Sequence, residues 1–405
     1  MSSPDVASEI LEFNRHRAPD MAARKYAAMR INAFTFLRGT CHLFYTGWPT
    51  GAMFDQSPTA WISGDLHVEN FGSYKGDNRL TYFDVNDFDE SVLAPAAWET
   101  VRFLTSILVG AQTWGLNEGE AVALMRRAFQ SYVEQLTIGK PRWIERQTAR
   151  GIVGKLLAQV KGRTRIELLN RSTVLAHKRS RRFTDHGNRT AVASNEDRAI
   201  ANRVMDAIVA ASPEPGFFTV IDIARRIAGT GSLGVVRYAV LIEGRGSPDH
   251  NVILDVKQAL PSAVAPRSPN AQPLWQSEAE RVGSVQHRMQ AVSPALLRAI
   301  RVKSESFIVR ELQPIDDRMR LADWYAKPRK LDAALDTLAR LAAWAPLRAT
   351  GWRGSATADA WADFAARDDW HQSIIDVARD EAARNAARYA EFTAAYDSGA
   401  FSTPR

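Results

Sequence analysis

Hydrophobic and polar positions change period along the chain, and the changes divide it into segments. From Trp98 onward, Val101, Leu104, Ile107, Leu108 and Ala111 recur at helical spacing, which predicts a strong amphipathic helix. Helical patterns continue to about Val209. Before Trp98 the character differs: Trp61-Ile62-Ser63 and Leu80-Thr81-Tyr82-Phe83 are short strand-like runs, with Lys75-Gly76-Asp77-Asn78 as a turn signal between them. The opening stretch, to about Phe54, reads as helical and mixes basic and aromatic residues, among them Arg24, Lys25, Phe34, Phe36, Leu37 and Arg38. Ser212-Pro213-Glu214-Pro215-Gly216 punctuates the chain. Beyond it, Val235 to Ile242 and Val252 to Val256 predict two strands joined by the polar turn Gly244 to Asn251. Pro261 to Pro273 reads as a flexible loop, followed by a helix from about Gln276 to Gln290 and a strand at Phe307 to Leu312. In the remainder Leu331, Leu335, Leu338, Leu341 and Ala342 share one helical face, and Ile374 to Tyr396 form a long alanine-rich helix.

These patterns predict an α+β chain in three stretches: a helical part with loops over 1–212, a smaller β-rich unit over 213–313, and a helical remainder over 314–405. A length of 405 residues accommodates two or three structural units, and 45% hydrophobic with 24% charged residues is the composition of an ordinary globular chain. No segment approaches the roughly 20 uninterrupted apolar residues of a membrane-spanning helix. Met1 to Glu12 is polar and acidic, unlike a secretory signal. The single cysteine, Cys41, excludes an internal disulfide and a Cys-rich metal site, so the expectation is a cytoplasmic protein with no membrane partner.

The net charge of +7 raises nucleic acid as a partner. The densest basic run, His177 to Arg189, contains Lys178, Arg179, Arg181, Arg182 and Arg189 but no nucleic-acid-binding motif, and it reads as a solvated loop. A positive field equally suits an enzyme handling ATP and an anionic substrate.

Three motifs carry chemistry. In Gly64-Asp65-Leu66-His67-Val68-Glu69-Asn70-Phe71-Gly72, Asp65 and Asn70 lie five positions apart in a loop flanked by strand-like runs. Phosphoryl transfer needs a carboxylate that accepts or orients the acceptor hydroxyl and an oxygen ligand for Mg²⁺ nearby, and one loop supplies both. As a bland alternative, the two residues cap turns. In Tyr82-Phe83-Asp84-Val85-Asn86-Asp87-Phe88-Asp89-Glu90, four carboxylates sit among aromatics, and a hard cation would relieve their repulsion. Asp87 is the leading metal ligand there, with Asp84 or Asp89 assisting. In Gly229-Thr230-Gly231-Ser232-Leu233-Gly234 the glycines precede β-forming residues, and the apolar run Val252-Ile253-Leu254-Asp255-Val256 closes on Lys257. Strand, glycine loop, strand, turn and strand ending in lysine is the kinase arrangement: the loop covers phosphates and the lysine pairs with them. Gly229, Gly231, Ser232 and Gly234 are therefore nucleotide-binding candidates, and Glu280, rather than Glu278, is preferred as the residue that orients Lys257.

The stretch Gly64 to Asn70 resembles the catalytic loop of aminoglycoside and choline phosphotransferases. Asp87-Phe88-Asp89 resembles their metal-binding motif, and the Ala97 to Leu108 helix the segment that follows. A closer likeness, over nearly the whole chain, is to the bacterial family catalogued as domain of unknown function 2252. Its marks are Phe36-Leu37-Arg38-Gly39-Thr40, Gly64 to Gly72, Asp84 to Glu90, Gly229 to Gly234, Val256-Lys257 and Val309-Arg310-Glu311-Leu312-Gln313-Pro314. The resemblance implies a protein-kinase-like two-lobe fold. Because Asp65 and Asp87 precede Gly229 and Lys257, the fold would be circularly permuted. The small lobe would be about Phe217 to Leu312, and Gln313 to Asp317 the hinge against adenine. Two residues depart from what the resemblance leads one to expect: Ser284 in place of a glutamate, and Pro346 in place of a histidine, where it kinks or ends the helix.

The expectation is phosphoryl transfer from ATP·Mg²⁺ to a small hydroxyl- or amine-bearing metabolite. Asp65 would be the base or orienting group, Asn70 and Asp87 the Mg²⁺ ligands, and Lys257 the phosphate partner. Arg38 and His67 would be on the substrate side, although Arg38 serves equally as a helix C-terminal cap. The alternatives are transfer of AMP to a protein by the same fold, a nucleotide-binding regulator with little catalysis, and, last, nucleic-acid binding.

Overall fold

In the computed structural model, which describes residues 5–48, 56–161, 163–177, 180–184, 189–313 and 327–402, helices and strands alternate in blocks much as the hydrophobic periods do. The chain opens with α1 (Val6–Asn14), α2 (Pro19–Met29), α3 (Ala33–Gly39) and α4 (Cys41–Phe44). Asp5 and Asn32 cap α1 and α3 by accepting from backbone amides of the first turn. Then come β1 (Thr59–Ile62), β2 (Phe71–Lys75), β3 (Thr81–Val85) and β4 (Val92–Pro95). The two strand-like runs foreseen at 61–63 and 80–83 do not pair with each other: β1 pairs with β4, and β2 with β3. The loops bearing the first two motifs are thereby brought to one end of these strand pairs.

Next are α5 (Ala96–Thr113), α6 (Glu118–Ile138), α7 (Gly151–Lys161) and α8 (Arg165–Ser172). Every residue of α5 from Ala96 to Ala111 is buried, so the helix crosses the core rather than lying on it. Asn117 and Glu120 form a reciprocal capping box at the start of α6, and Gly139, at φ 65°, ends it.

The hairpin β5 (Thr173–His177) and β6 (Ser180–Phe183) precedes β7 (Thr190–Val192), α9 (Asn195–Ala210), β8 (Val220–Arg226), β9 (Arg237–Ile242), β10 (Val252–Gln258), α10 (Glu278–Met289), β11 (Arg298–Val302) and β12 (Glu305–Glu311). Six of these strands form one antiparallel sheet in the order β11-β12-β10-β9-β8-β7. One face of it shares a core with α9, built from Ala201, Val204, Met205 and Ile208 against Val240, Leu254 and Phe307. The β-rich unit thus reaches back to Thr190, upstream of the punctuation at 212–216, because α9 has its apolar stripe on this sheet.

The chain closes with α11 (Pro328–Arg348), α12 (Ala358–Ala365) and α13 (His371–Asp397), which pack with α5, α6 and β1–β4 into the larger core. Pro346 stands inside the last turn of α11, two residues before its end at Arg348. The 261–273 segment is packed rather than loose: Ser268 Oγ and Gln272 Nε2 both donate to the carbonyl of Leu93, each at 2.7 Å. Among the described residues no helix is long and apolar enough to cross a membrane. Residues 314–317 of the expected hinge, and Lys178 and Arg179 of the basic run, lie outside the described residues.

Candidate functional site

The loop between β1 and β2 is built on a glycine. Gly64 has φ 81°, and a Cβ there would lie 2.2 Å from the carbonyl oxygen of Glu90, so only glycine lets this loop lie against the acidic segment. Two charged residues of α5 then hold the loop. Glu99 accepts from Ser63 N and Ser63 Oγ at 2.6 Å and from Gly64 N at 3.0 Å. Arg102, fully buried, donates Nε to Asp65 Oδ1 at 2.9 Å, and its Nη2 reaches the same oxygen and Leu37 O. Both guanidinium contacts fall on Oδ1. Asn70 Nδ2 donates to Asp65 O at 3.1 Å and Asp87 O at 3.5 Å, stitching the first motif to the second.

Asp84 does not belong to the cleft. It is buried, ion-paired with Arg348 at 2.8 Å, and accepts from Val85 N and Ala291 N. This corrects its assignment as an assisting metal ligand: on β3 its side chain is turned into the protein, and α11 supplies its counter-charge. Asp87 and Asp89, past the strand end, do line the cleft, together with Asp65 and Asn70.

Lys257, near the end of β10, is ion-paired with Asp89 and lies 3.9 Å from Asp87. Glu280 is not its partner. Its carboxylate turns back to accept from Gln276 N at 2.6 Å, so it serves the start of α10, whose residues beside Lys257 are Val282 and Gln286. The charged residue of α10 that does reach the site is Arg281, whose Nη2 donates to Asp89 O at 2.9 Å and Leu260 O at 3.0 Å. Arg281 ties the acidic segment to the segment that follows β10.

The glycine loop joins β8 to β9 over this site. Gly229 and Gly234 have φ of 80° and 88°, which L side chains rarely adopt, and a Cβ on Gly231 would lie 3.2 Å from Arg38 O. Ser232 Oγ contacts Asp89 Oδ2 at 3.5 Å. Arg38 pairs with Glu69 at 2.5 Å, and His67 accepts from Glu69 N through Nδ1; both residues line the cleft. Gln313 lies apart from the acidic residues, against Asn86 Nδ2, and its own Nε2 is buried without a partner among the described residues. It borders a second cavity of about 630 Å³, lined among others by Tyr74, Arg79, Phe183, Ala239, Arg310 and Leu312.

Sequence reasoning missed Arg17, Lys25, Glu99, Arg102 and Arg281, all of which touch the site. The signal for two of them lay in α5: Glu99 and Arg102 are charges three apart inside a strongly apolar helix, where an unpaired charge is costly. Burial raises the pKa of Asp65, with Arg102 opposing the shift. Burial likewise raises Glu90 and Glu99 to about 7 from an ordinary 4.5. The folded chain therefore holds the Glu99 proton more tightly than the unfolded chain. The stability from this group is complete below 4.5 and lost as pH rises through about 7. Glu99→Gln imitates the protonated acid. Its urea unfolding free energy should match that of the wild type below pH 4.5 and exceed it above pH 7 by roughly 3 kcal/mol. Parallel curves for the two proteins would assign the pH dependence to other groups.

Mg²⁺ commonly takes one or two carboxylates and completes its shell with water and phosphate oxygens. Asp87 with Asn70, and Asp89 beside them, fit that pattern. Among the described residues no group of three or more His, Cys, Asp or Glu side chains could form an all-protein metal cage.

Compared with known families, the chain matches, over residues 17–395, the one described as "Uncharacterized protein conserved in bacteria (DUF2252)". No curated protein and no solved structure matches it.

Proposed function

The chain belongs to the bacterial family of uncharacterized proteins DUF2252, and we propose that it transfers a phosphoryl group from ATP·Mg²⁺ to a small hydroxyl- or amine-bearing metabolite, in a circularly permuted kinase-like fold. One observation carries the reading. Three motifs from distant parts of the chain meet on one cleft, where Lys257 lies against Asp89 and Asp87, the glycine loop lies above them, and Asp65 and Asn70 lie beside them.

In this reading Asn70 and Asp87 would hold Mg²⁺, which when bound neutralises charge on the phosphate oxygens. Lys257 would exchange Asp89 for a phosphate oxygen. Asp65, fixed by Arg102, would orient the acceptor and take its proton late, since transfer of this kind depends on positioning more than on strong base chemistry. Adenosine would occupy the second cavity, where Ala239 and Leu312 offer apolar surface and the Gln313 amide has an unused donor.

A second reading, a nucleotide-binding regulator, has an observation of its own: α10 presents Val282 and Gln286, not a carboxylate, to Lys257.

Calorimetry of ATP with and without Mg²⁺ tests the binding. Metal-dependent binding that Asp87→Ala and Lys257→Ala each weaken by at least about ten-fold is expected. Loss of labelled γ-phosphate to an acceptor pool then supports transfer, whereas tight binding with no turnover supports the regulator. With ATP labelled at the α-phosphate instead, label recovered on protein as AMP, with release of pyrophosphate, would indicate nucleotidyl transfer. No binding by folded wild type removes all of these readings.

A further inference from the structure

Two cations on the cleft wall pair with no anion among the described residues. Lys25, on α2, is 1% exposed, and its Nζ donates to a neutral acceptor, the carbonyl of Gly231 at 3.1 Å. Arg17, in the turn before α2, gives Nη1 to Gly231 O at 2.9 Å and to Leu233 O. Neither makes an ion pair with a described carboxylate; Asp65 and Glu90 act on Lys25 only at longer range. At the same end of the cleft Arg38 has a buried Nε without a hydrogen-bond partner among the described residues.

Removing an ammonium from water without a carboxylate beside it costs several kcal/mol, and placing a guanidinium next to it adds repulsion. Burial and Arg17 accordingly push the Lys25 pKa well below its ordinary value. Pinning the glycine loop requires donors, not charges, so two adjacent cations are more than that task needs. A methionine would fill the Lys25 site at lower cost.

We propose that Arg17 and Lys25 form the cationic half of an oxyanion subsite that holds a phosphate-type group at the Asp65 end of the cleft. The group is either the terminal phosphate of the nucleotide or an acidic group on the acceptor. The inference deepens the phosphotransferase reading and rests on it only for the source of the anion. With a ligand present, the two cations would exchange loop carbonyls for ligand oxygens, and the glycine loop would lie over the group so held. Ligand oxygens that carry negative charge add a charge–charge attraction that the loop carbonyls cannot supply, which gives the exchange its direction.

The test is calorimetry on the full chain with inorganic pyrophosphate, ATP and ADP, and with inorganic phosphate added to the ADP-saturated protein. Wild type is compared with Lys25→Met and Arg17→Gln. The expected result is pyrophosphate binding weakened at least about ten-fold in Lys25→Met, together with a raised Tm, since a buried amine with no carboxylate partner has gone. A purely structural lysine would not produce that combination. If the terminal phosphate is the source, ATP weakens and ADP does not. If the acceptor is the source, ATP is unchanged and phosphate no longer binds beside ADP. Unchanged binding of pyrophosphate, phosphate and ATP in both variants, or a lowered Tm with unchanged binding, assigns the pair to the loop alone and overturns the proposal. Failure of wild type to bind any of these anions overturns it as well. Pyrophosphate binding that depends on Lys25, in a protein that does not bind ATP, would leave this inference standing and remove the phosphotransferase reading. Should Lys25→Met not fold, Arg17→Gln, at a half-buried position, carries the same comparison.

Discussion

Asp65→Asn is expected to lower phosphoryl transfer by about 10²–10⁴-fold while leaving the Kd for ATP·Mg²⁺ within about three-fold of wild type, because the lost interaction is with the acceptor in the transition state rather than with the nucleotide. In the proposed reaction the carboxylate would take that role from a fixed position. Arg102 fixes Oδ1, Asn70 holds the backbone carbonyl of the same residue, and Gly64 lets the loop approach Glu90 closely enough to set its depth. Asparagine keeps the shape but neither accepts the proton nor balances Arg102. Single-turnover rates, measured beside calorimetry on the same preparation, check this. Equal losses in rate and nucleotide affinity would mean that Asp65 belongs to the metal site and not to the acceptor.

Arg102→Met is expected to destabilise the fold by roughly 3–5 kcal/mol, the usual cost of leaving one partner of a buried ion pair uncompensated. Arg102 is fully buried, closes on Asp65, bonds Leu37 O at 3.1 Å and lies 4.7 Å from the ring of Phe44. It therefore joins α5, α3 and the Asp65 loop. In the double variant Arg102→Met with Asp65→Asn both charges are absent, and most of the loss should be regained. Denaturant unfolding of the four proteins in the cycle gives the coupling directly. Additive losses would show that Arg102 acts through packing on Phe44 and not through its charge.

The two effects have a common origin in α5, and they show where sequence reading stops. The apolar spacing of Trp98, Val101, Leu104 and Ile107 identified the helix, and the structure extends it to Ala96–Thr113. Spacing describes one face. Glu99 and Arg102 occupy the faces that periodicity assigns to solvent, and their burial follows from α5 passing between the loop and the helices behind it. The same limit explains Glu280. A glutamate in the first turn of a helix serves the amides of that turn as readily as a distant lysine, and α10 uses it at home. Asp84 shows the complementary case. Strand alternation separates neighbours in sequence, so one carboxylate of the acidic run faces Arg348 while Asp87 and Asp89, beyond the strand, reach the cleft.

What the sequence determined by itself was local: the helices with strong stripes, three strands of the β-rich unit (β9, β10 and β12) to within a few residues, the glycine loop, the lysine at the end of β10, and the residue types able to handle a metal and a phosphate. These follow from backbone geometry and side-chain chemistry within a few turns or strand positions. Tertiary structure alone decided that β1 pairs with β4, that α9 joins the β-rich core, that Lys257 meets Asp89, and that Arg17 and Lys25 reach across to the glycine loop. Each of these is a contact between residues tens to hundreds of positions apart. What settles such a contact is which apolar faces bury each other and which charges are then left out of water, and neither is a property of any one segment of the chain.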